Sequence, residues 1–243
     1  MSLNGIFMPF PQPQCEAVFL QRPQRFLAEM SFPDGTKELV YCANSGAMAG
    51  FILPGSKTLL WESSDRKRKR RYTWRAVEYE GNWIGTDTHL SNHLVEEALR
   101  RKIVPGLENY DTLVREHAVE AGFRVDFKLS DSDGDCFVEV KTSTVVENGV
   151  ARYPDSKTPR GVKHLKALAR LAMEGNRVVL LFLVQRADAE SFSVSNLTDT
   201  AYAEAFEQAL TVGLEVIVLE VPVYPEGFGA PRLLPYKKLI VNL

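Results

Sequence analysis

Three charged residues in one region have the types and spacing needed for metal-assisted chemistry. In the segment CFVEVKT (136–142), the alternation of side chains along a β-strand puts Glu139 and Lys141 on the same face. A polar turn, SDSDGD, separates this strand from the run 123–129 and predicts a hairpin. With the turn at its centre, residues whose numbers sum to 265 face each other, so Asp126 is predicted to lie opposite Glu139.

Opposed carboxylates repel each other, and a divalent cation between them removes the repulsion. Oxygen ligands of this kind suit Mg²⁺, with Mn²⁺ as the alternative. Lys141 could then stabilise charge on a phosphate or orient an attacking water, so phosphodiester cleavage is the chemistry available. From these residues alone the alternative is a surface hairpin on which Arg124, Lys128, Glu139 and Lys141 form solvated ion pairs.

A helix further along the chain adds cations. Thr158 is a good N-cap, Pro159 suits the first helical position, and Gly175 lies just past the predicted end. A helix N-terminus attracts phosphate, and flanking cations add to that attraction. The alternative is a basic, solvent-facing side of an amphipathic helix. The candidate phosphate-binding side chains are Arg160, Lys163 and His164.

A run of six consecutive cations in the first third of the chain is a second candidate for phosphate contact. It is followed by an aromatic and β-branched strand in which Tyr72 and Trp74 are candidates for stacking on bases. The alternative is a solvent-exposed loop without a binding role. The run consists of Arg66, Lys67, Arg68, Lys69, Arg70 and Arg71.

The elements that must position these residues fall into two groups. Up to about residue 85, four or five short strands alternate with turn signals, which predicts a small barrel, the oligonucleotide-binding (OB) type being one candidate. From about residue 86 a helix, a hairpin, a second helix, the apolar strand 177–184, a helix near 200–212 and the strand 214–223 follow. This order predicts an α/β domain with a mixed sheet.

The composition is that of an ordinary globular protein: 243 residues, 45% of them hydrophobic and 25% charged, with a formal net charge of −2. The near-neutral charge does not by itself indicate a nucleic-acid binder. The three cysteines show no spacing typical of disulfide pairs, and the sequence lacks a signal-peptide pattern. Both observations favour a cytoplasmic location. No apolar run long enough for a membrane span exists. The oligomeric state stays open, a dimer included.

Many segments in order along the chain resemble the sugar fermentation stimulation protein A family of bacteria and archaea. They include CANSGAMAG, RKRKRRYTW, WIGTDTHLSNHLVEEAL, RVDFKL, CFVEVKTST and ARYPDSKTPRGVKHLKAL. The resemblance implies an OB-like barrel at 1–85 fused to a restriction-endonuclease-like domain of the PD-(D/E)xK type at 86–243. It also implies DNA binding and a link to sugar (maltose) metabolism.

The resemblance implies roles for particular residues. Asp126 matches the family's metal-binding aspartate, and Glu139 and Lys141 match its Glu-x-Lys motif. In the mechanism that we predict, the Val140 carbonyl is a further metal ligand beside the two acids. Glu97 matches an acidic position that often assists the metal. The Pro-Asp…Arg-Gly…Lys-His-Leu signature corresponds here to Asp155, Arg160, Lys163 and His164. Phe123 departs from the pattern, because the family usually has a small polar residue there.

The sequence therefore predicts a DNA-binding protein whose second domain is a Mg²⁺-dependent nuclease, with RNA as the alternative nucleic acid. A non-enzymatic DNA-binding regulator of sugar metabolism genes, using the same charges only for contact, is the alternative function. The three intact site residues favour the enzyme, because phosphate binding alone would favour replacing both acids.

Overall fold

The computed structural model describes residues 6–48, 50–120 and 122–237, so the outer limits of the two predicted domains lie outside the described residues. The first part of the chain is made of strands. In chain order they are β1 (Ile6–Pro9), β2 (Gln14–Gln24), β3 (Leu27–Ser31), β4 (Lys37–Tyr41), β5 (Lys57–Glu62), β6 (Tyr72–Tyr79) and β7 (Asn82–Gly85).

Five of these strands, β2 to β6, close into a barrel. The strand order is β4-β3-β2-β5-β6, and β6 returns to pair in parallel with β4 through Tyr41 and Thr73. This order, with a single parallel pairing between the third and fifth strands, is that of the OB fold, so the OB candidate is confirmed. Its core contains Phe19, Met30 and Trp74, whose rings or side chains are buried inside the barrel.

The second part alternates helices and strands. Its elements are α1 (His89–Arg100), β8 (Thr112–Glu120), β9 (Phe123–Asp131), β10 (Gly134–Ser143), β11 (Val145–Glu147), β12 (Val150–Tyr153), α2 (Pro159–Met173), β13 (Arg177–Val184), β14 (Ser191–Val194), α3 (Thr200–Thr211), β15 (Leu214–Glu220), β16 (Val223–Tyr224), β17 (Gly227–Gly229) and β18 (Arg232–Leu233).

A six-stranded mixed sheet, in the order β18-β15-β13-β10-β9-β8, forms the centre of this domain. Strands β10, β13 and β15 are parallel, and β8 and β9 add antiparallel strands at one side. Helix α1 packs on one face through Leu94 and Val95, and α2 and α3 pack on the other through Leu168 and Phe206. This is the restriction-endonuclease-like arrangement that the sequence predicted.

The predicted N-cap of α2 is confirmed. Thr158 is the N-cap of α2 and its side-chain oxygen accepts a hydrogen bond from the Gly161 amide at 3.2 Å. At α1 the Asp87 carboxylate accepts from the His89 amide at 3.0 Å. The sequence did not predict strand β8, because its side chains are mostly exposed and give no apolar period.

No helix within the described residues is long and apolar enough to cross a membrane.

The two domains share one sheet. Strand β16 pairs with β7 next to the barrel, and β17 pairs with β1. The chain therefore returns to the first domain after completing the second, and the junction near residue 86 is reinforced by strands from the C-terminal part. The predicted division at 85 and 86 falls between β7 and α1.

Candidate active site

The β9–β10 hairpin has the register that the sequence predicted. Five consecutive pairs, from Asp131 with Gly134 to Phe127 with Val138, all have numbers that sum to 265. The ladder stops there. One residue further on, the Asp126 carboxylate takes the place of a main-chain partner, because its Oδ2 accepts a hydrogen bond from the Val140 amide at 2.7 Å. The strands separate at the position where the two acids lie.

Asp126 is held in a fixed orientation by two donors. The Val140 amide binds one carboxylate oxygen, and the Asn92 side chain of α1 donates to the other at 2.7 Å. Burial raises the pKa of Asp126 to about 6, and the charge of Glu139 adds to the increase. The raised pKa means that the surroundings of Asp126 destabilise its charged form, and a nearby cation would offset this effect.

Glu139 is the most deeply buried acid of the site, with 3% of its surface exposed. Its Oε1 accepts a hydrogen bond from the Lys141 ammonium and lies 2.6 Å from His164 Nδ1. Its Oε2 is also buried, and no partner for it exists among the described residues. Burial would raise the pKa of Glu139, but the Lys141 and His164 contacts outweigh burial and hold the pKa below its usual value.

Lys141 remains a cation at neutral pH. Burial would lower the pKa of its ammonium, but the negative charge of Glu139 outweighs burial, so the pKa lies above its usual value. Lys141 therefore donates hydrogen bonds in this site and does not accept a proton. This is consistent with the predicted role of stabilising negative charge or orienting a water.

His164 was predicted as one of the phosphate-binding side chains of α2, but in the structure it contacts the carboxylate of Glu139. Arg160, one turn earlier on α2, donates through Nε to His164 Nε2 at 3.2 Å, so the ring proton is left on Nδ1 and faces Glu139. The ring also packs edge-on against Phe123, with centroids 4.9 Å apart. Phe123, which departs from the family pattern, thus fixes the histidine.

These residues line a cavity of about 710 Å³ between the two domains. The barrel contributes a wall through Arg25, Asn44 and Gly46. Opposite them, Asp155 accepts a hydrogen bond from the Met48 amide at 3.2 Å, and any side chain at Gly46 would collide with its carboxylate. The predicted residue Asp155 therefore lies at the cavity and joins the domains.

Two predicted residues are not part of the cavity wall. Glu97 is on α1 but pairs with Arg101 on the outer side of the helix, so it cannot assist a metal held by Asp126 and Glu139. The side chain of α1 that reaches Asp126 is Asn92 instead. Lys163 is exposed on α2 and does not line the cavity, unlike Arg160.

The prediction that Tyr72 and Trp74 stack on bases is wrong. Trp74 is fully buried and packs against Phe19 inside the barrel, because β6 is a central barrel strand. Tyr72 is also buried and packs against Phe32. Neither ring is available to a base.

The basic run occupies the loop between β5 and β6, where four of its six side chains, Arg66, Lys67, Lys69 and Arg71, are exposed. The aromatic residues beside it are Tyr41 and Trp61, which are half-buried. The Arg68 guanidinium lies 5.8 Å from the Tyr41 ring centroid and 5.3 Å from that of Trp61. The Arg70 side chain is partly buried.

Sequence reasoning missed the polar residues that support the site from α1 and β13. Ser91 accepts hydrogen bonds from Thr142 and from the buried Gln185, both at 2.7 Å, and so ties α1 to β10 and to the residue that follows β13. Asn92 binds Asp126. The available signal was a Ser-Asn pair in the first turn of a helix whose other inward positions are apolar.

The donor set fits a divalent cation bound by oxygen. Glu139 Oε2 lacks a partner within the described residues, and Asp126 has a raised pKa. A strand residue directs its N–H and C=O toward the same neighbour, so the Val140 carbonyl points to the side of Asp126. No group of three or more His, Cys, Asp or Glu side chains suited to a metal occurs in the described ranges, so water or substrate oxygens would complete the shell.

Comparison with known proteins places both domains. The "SfsA N-terminal OB domain" matches residues 20–86, and the "Sugar fermentation stimulation protein RE domain" matches residues 89–227. The sugar fermentation stimulation protein homolog of Geotalea uraniireducens is 39% identical over 91% of this chain and 96% of its own length. The homolog of Ruegeria pomeroyi is 40% identical over 90% of this chain and 97% of its own.

A solved structure has the same fold. It is described as Pyrococcus furiosus SfsA in complex with Ca²⁺, and it is 27% identical with a TM-score of 0.88, covering 96% of this chain and 99% of its own. Both domain matches and the full-length similarity agree with the motifs in the sequence. The chain belongs to the sugar fermentation stimulation protein family.

Proposed function

We propose that this protein is a divalent-cation-dependent phosphodiester hydrolase that acts on DNA, with Mg²⁺ or Mn²⁺ as the working ion. The observation that carries the proposal is the buried carboxylate pair, in which Glu139 Oε2 has no partner within the described residues and Asp126 has a pKa raised to about 6. A buried carboxylate oxygen without a partner and a carboxylate with a raised pKa each cost folding free energy, and a bound cation would compensate both.

The metal-bound relative supports the choice of ion class. The Pyrococcus furiosus protein was solved in complex with Ca²⁺, a hard cation that prefers oxygen ligands, as Mg²⁺ and Mn²⁺ also do. We infer that Asp126, Glu139 and the Val140 carbonyl hold the ion in this chain. When bound, such an ion polarises a phosphoryl oxygen and lowers the pKa of a coordinated water.

The protein's own residues supply charge and orientation. Lys141 is a partly buried cation that donates to Glu139 and can also donate to a phosphate oxygen or a water at the site. His164, which is itself held by Arg160, contacts the same Glu139 Oε1 that Lys141 binds, so Oε2 is left toward the proposed ion. Arg160 and the first turn of α2 lie at the cavity wall, where their positive charge favours a phosphate.

The barrel supplies the DNA-binding surface of the proposal. In an OB fold the loops between strands one and two and between strands four and five bind oligonucleotides, and the basic run lies in the second of these. Arg66, Lys67, Lys69 and Arg71 are exposed there. Tyr41 and Trp61 replace Tyr72 and Trp74 as the candidate aromatic contacts.

The test is cleavage of labelled single- and double-stranded DNA and RNA with Mg²⁺, Mn²⁺, Ca²⁺ or EDTA. We expect cleavage of DNA with Mg²⁺ or Mn²⁺ and none with EDTA. Glu139→Gln and Lys141→Ala should each lower the rate by at least about 10²-fold, because each removes charge that acts at the reacting phosphate.

Glu97→Gln is the matched control. It makes the same chemical change as Glu139→Gln on an acid that lies outside the cavity, and it should leave the rate unchanged within about twofold, a change that corresponds to well under 1 kcal/mol in the barrier. The absence of metal-dependent cleavage on every substrate would reject the hydrolase. Cleavage that survives in both site variants would reject the assignment of catalysis to Glu139 and Lys141.

The second candidate is a DNA-binding regulator without catalysis, which would link the protein to sugar metabolism genes. The exposed basic loop favours it, because this loop can bind phosphates without any help from the carboxylate pair. Its signature would be salt-dependent DNA binding that is unchanged in Glu139→Gln, together with no cleavage under any metal condition.

A further inference from the structure

The turn between β2 and β3, formed by Arg25 and Phe26, lies between two cavities. Arg25 lines the cavity that contains Asp126 and Glu139. Leu27, on the other side of Phe26 in the chain, lines a second cavity of about 340 Å³ that also includes Tyr41 and Arg68.

The neighbouring strand follows the same course. Tyr41, at the end of β4, lines the second cavity, and Asn44, three residues later, lines the first. The two segments run from one cavity to the other side by side, because the Cys42 amide donates to the Phe26 carbonyl at 3.0 Å. The barrel surface therefore provides a path between the basic loop and the carboxylate pair.

The turn is held rigidly although its phenyl ring is exposed. Arg22 donates to the Arg25 carbonyl at 2.5 Å and to the Asn44 carbonyl at 2.6 Å, and Arg25 Nε donates to the Ser45 carbonyl at 2.8 Å. Phe26 has 46% of its surface exposed. An exposed aromatic ring on a fixed turn of an OB barrel is well suited to stacking on an unpaired base.

We propose that a single strand of DNA runs from the second cavity, across Phe26, to the Asp126–Glu139 site. The substrate class is then single-stranded DNA or the unpaired end of a duplex, and an intact duplex is excluded. This inference rests on the proposed hydrolase function and adds its substrate class. Phe26 stacks on a base, and Arg25 contacts the phosphate that leads into the cavity.

The shape of the active cavity supports an unpaired substrate. Its volume of about 710 Å³ is in the range that encloses a small ligand, and Glu139 is 3% exposed at its base. The barrel residues Asn44 and Gly46 form one wall of the cavity, and the hydrogen bond from the Met48 amide to Asp155 joins that wall to the second domain, so a strand that reaches Glu139 must pass between the two domains.

The charges along the path fit a single backbone. Arg68 lies over Tyr41 and Trp61 at the start of the path, Arg25 is at its middle, and Arg160 is at the carboxylate site. Alternation of aromatic rings with cations is the pattern of sequence-independent single-strand binding, in which rings stack on bases and cations follow the phosphates.

Binding of fluorescein-labelled oligonucleotides to the full-length protein in EDTA tests the path without cleavage. Fluorescence anisotropy should give tighter binding to single-stranded DNA than to the blunt duplex of the same sequence. Phe26→Ala should weaken single-strand binding by about tenfold, since one stacked base contributes on that order, and Phe26→Trp should preserve it. Arg25→Gln should weaken binding and reduce the salt dependence by about one phosphate contact.

Leu53→Ala is the matched control, because Leu53 is a similarly exposed apolar residue of the first domain, 52% accessible, that lines neither cavity. It should bind as the native protein does. Equal loss of affinity in Leu53→Ala and Phe26→Ala, or no loss in Phe26→Ala, would overturn the path. Thermal melting of each variant identifies any loss that comes from unfolding.

Cleavage with Mn²⁺ separates this inference from the function on which it rests. A blunt duplex cut as fast as single-stranded DNA overturns the substrate class while supporting the hydrolase. A duplex with a single-stranded overhang, cut in the overhang, supports the path. If single-strand binding depends on Phe26 but no substrate is cut, the hydrolase fails and the path stands as a binding site. Tighter binding of single-stranded RNA than of DNA overturns the assignment to DNA.

Discussion

The two ends of the β9–β10 hairpin carry similar charged residues in different environments. Near the turn, Lys128 pairs with Asp135 at 2.7 Å, and Ser130 donates to the same carboxylate at 2.6 Å. At the open end, Asp126 and Glu139 are largely buried against each other. The pKa of Asp135 is lowered, mainly by the hydrogen bond from Lys128, whereas burial raises the pKa of Asp126 to about 6.

The difference arises from the separation of the strands and from what covers them. Near the turn the ladder is continuous and the side chains reach water, so each charge finds a partner. Beyond the Phe127–Val138 pair the ladder ends, and α1, α2 and the barrel wall enclose the acids. The same strands thus carry a surface ion pair whose charges are partnered and a buried carboxylate pair in which Glu139 Oε2 has no partner among the described residues and the pKa of Asp126 is raised. Only the buried pair would gain from a bound cation.

The largest effect that would sharpen this comparison is expected at Asn92. Asn92→Ala removes one of the two donors that orient Asp126, and loss of such a support typically lowers metal affinity or activity by about 10–100-fold. Removing a donor to the charged carboxylate should also raise the pKa of Asp126 further. Calorimetric titration with Mn²⁺, alongside cleavage rates, measures both.

Glu97→Ala on the same helix is the control for Asn92. Its side chain points away from the cavity, so metal affinity should not change. If Asn92→Ala loses activity with unchanged Mn²⁺ affinity and an unchanged pH profile, Asn92 does not act through Asp126. If Glu97→Ala weakens metal binding as much as Asn92→Ala, Glu97 assists the metal despite its position outside the cavity.

The sequence predicted the parts of the site that depend on period and register. Alternation along β10, a polar turn with an assumed centre and the register that follows from it were enough to bring Asp126 near Glu139, and the cap of α2 located Arg160 and His164. These are local features, and local features are encoded by residue types at fixed spacing.

What the sequence could not predict depends on contacts between distant segments. Asn92 reaches Asp126 across 34 positions and Gln185 reaches Ser91 across 94, and no period links such pairs. Tyr72 and Trp74 looked like stacking residues because they follow a basic run, but β6 is a central strand of a closed barrel, and closure buries both. Which aromatic residues remain exposed is set by the fold as a whole.

A smaller effect is expected from pH, and it tests the buried end of the hairpin directly. Below its pKa of about 6, Asp126 holds a proton that a cation must displace. Apparent Mn²⁺ affinity should therefore be about tenfold weaker near pH 5 than near pH 7.5. The sign is reversed for the metal-free protein: a carboxyl with a raised pKa favours folding at low pH, and that contribution is lost as pH rises from about 4 through about 6.

Calorimetry with Mn²⁺ and thermal melting in EDTA measure the two halves of this prediction. The rise in melting temperature caused by Mn²⁺ should be larger near pH 7.5 than near pH 5, because mass action follows the affinity. Asp135→Asn should leave the pH dependence unchanged, since Asp135 lies at the turn end. A metal effect that is the same at both pH values would mean that Asp126 is not a ligand.

The smallest effects are expected at the turn end. Lys128→Ala leaves Asp135 with its hydrogen bond from Ser130 and with access to water, so no unpaired buried charge results. An ion pair with this exposure contributes at most about 1 kcal/mol and is screened by salt. Urea denaturation should therefore show a loss of no more than about 1 kcal/mol, diminishing at high ionic strength, with DNA cleavage unchanged. A loss of cleavage in Lys128→Ala comparable to that in Lys141→Ala would instead mean that the two ends act together, since the hairpin would then transmit a change at its turn to the carboxylate pair.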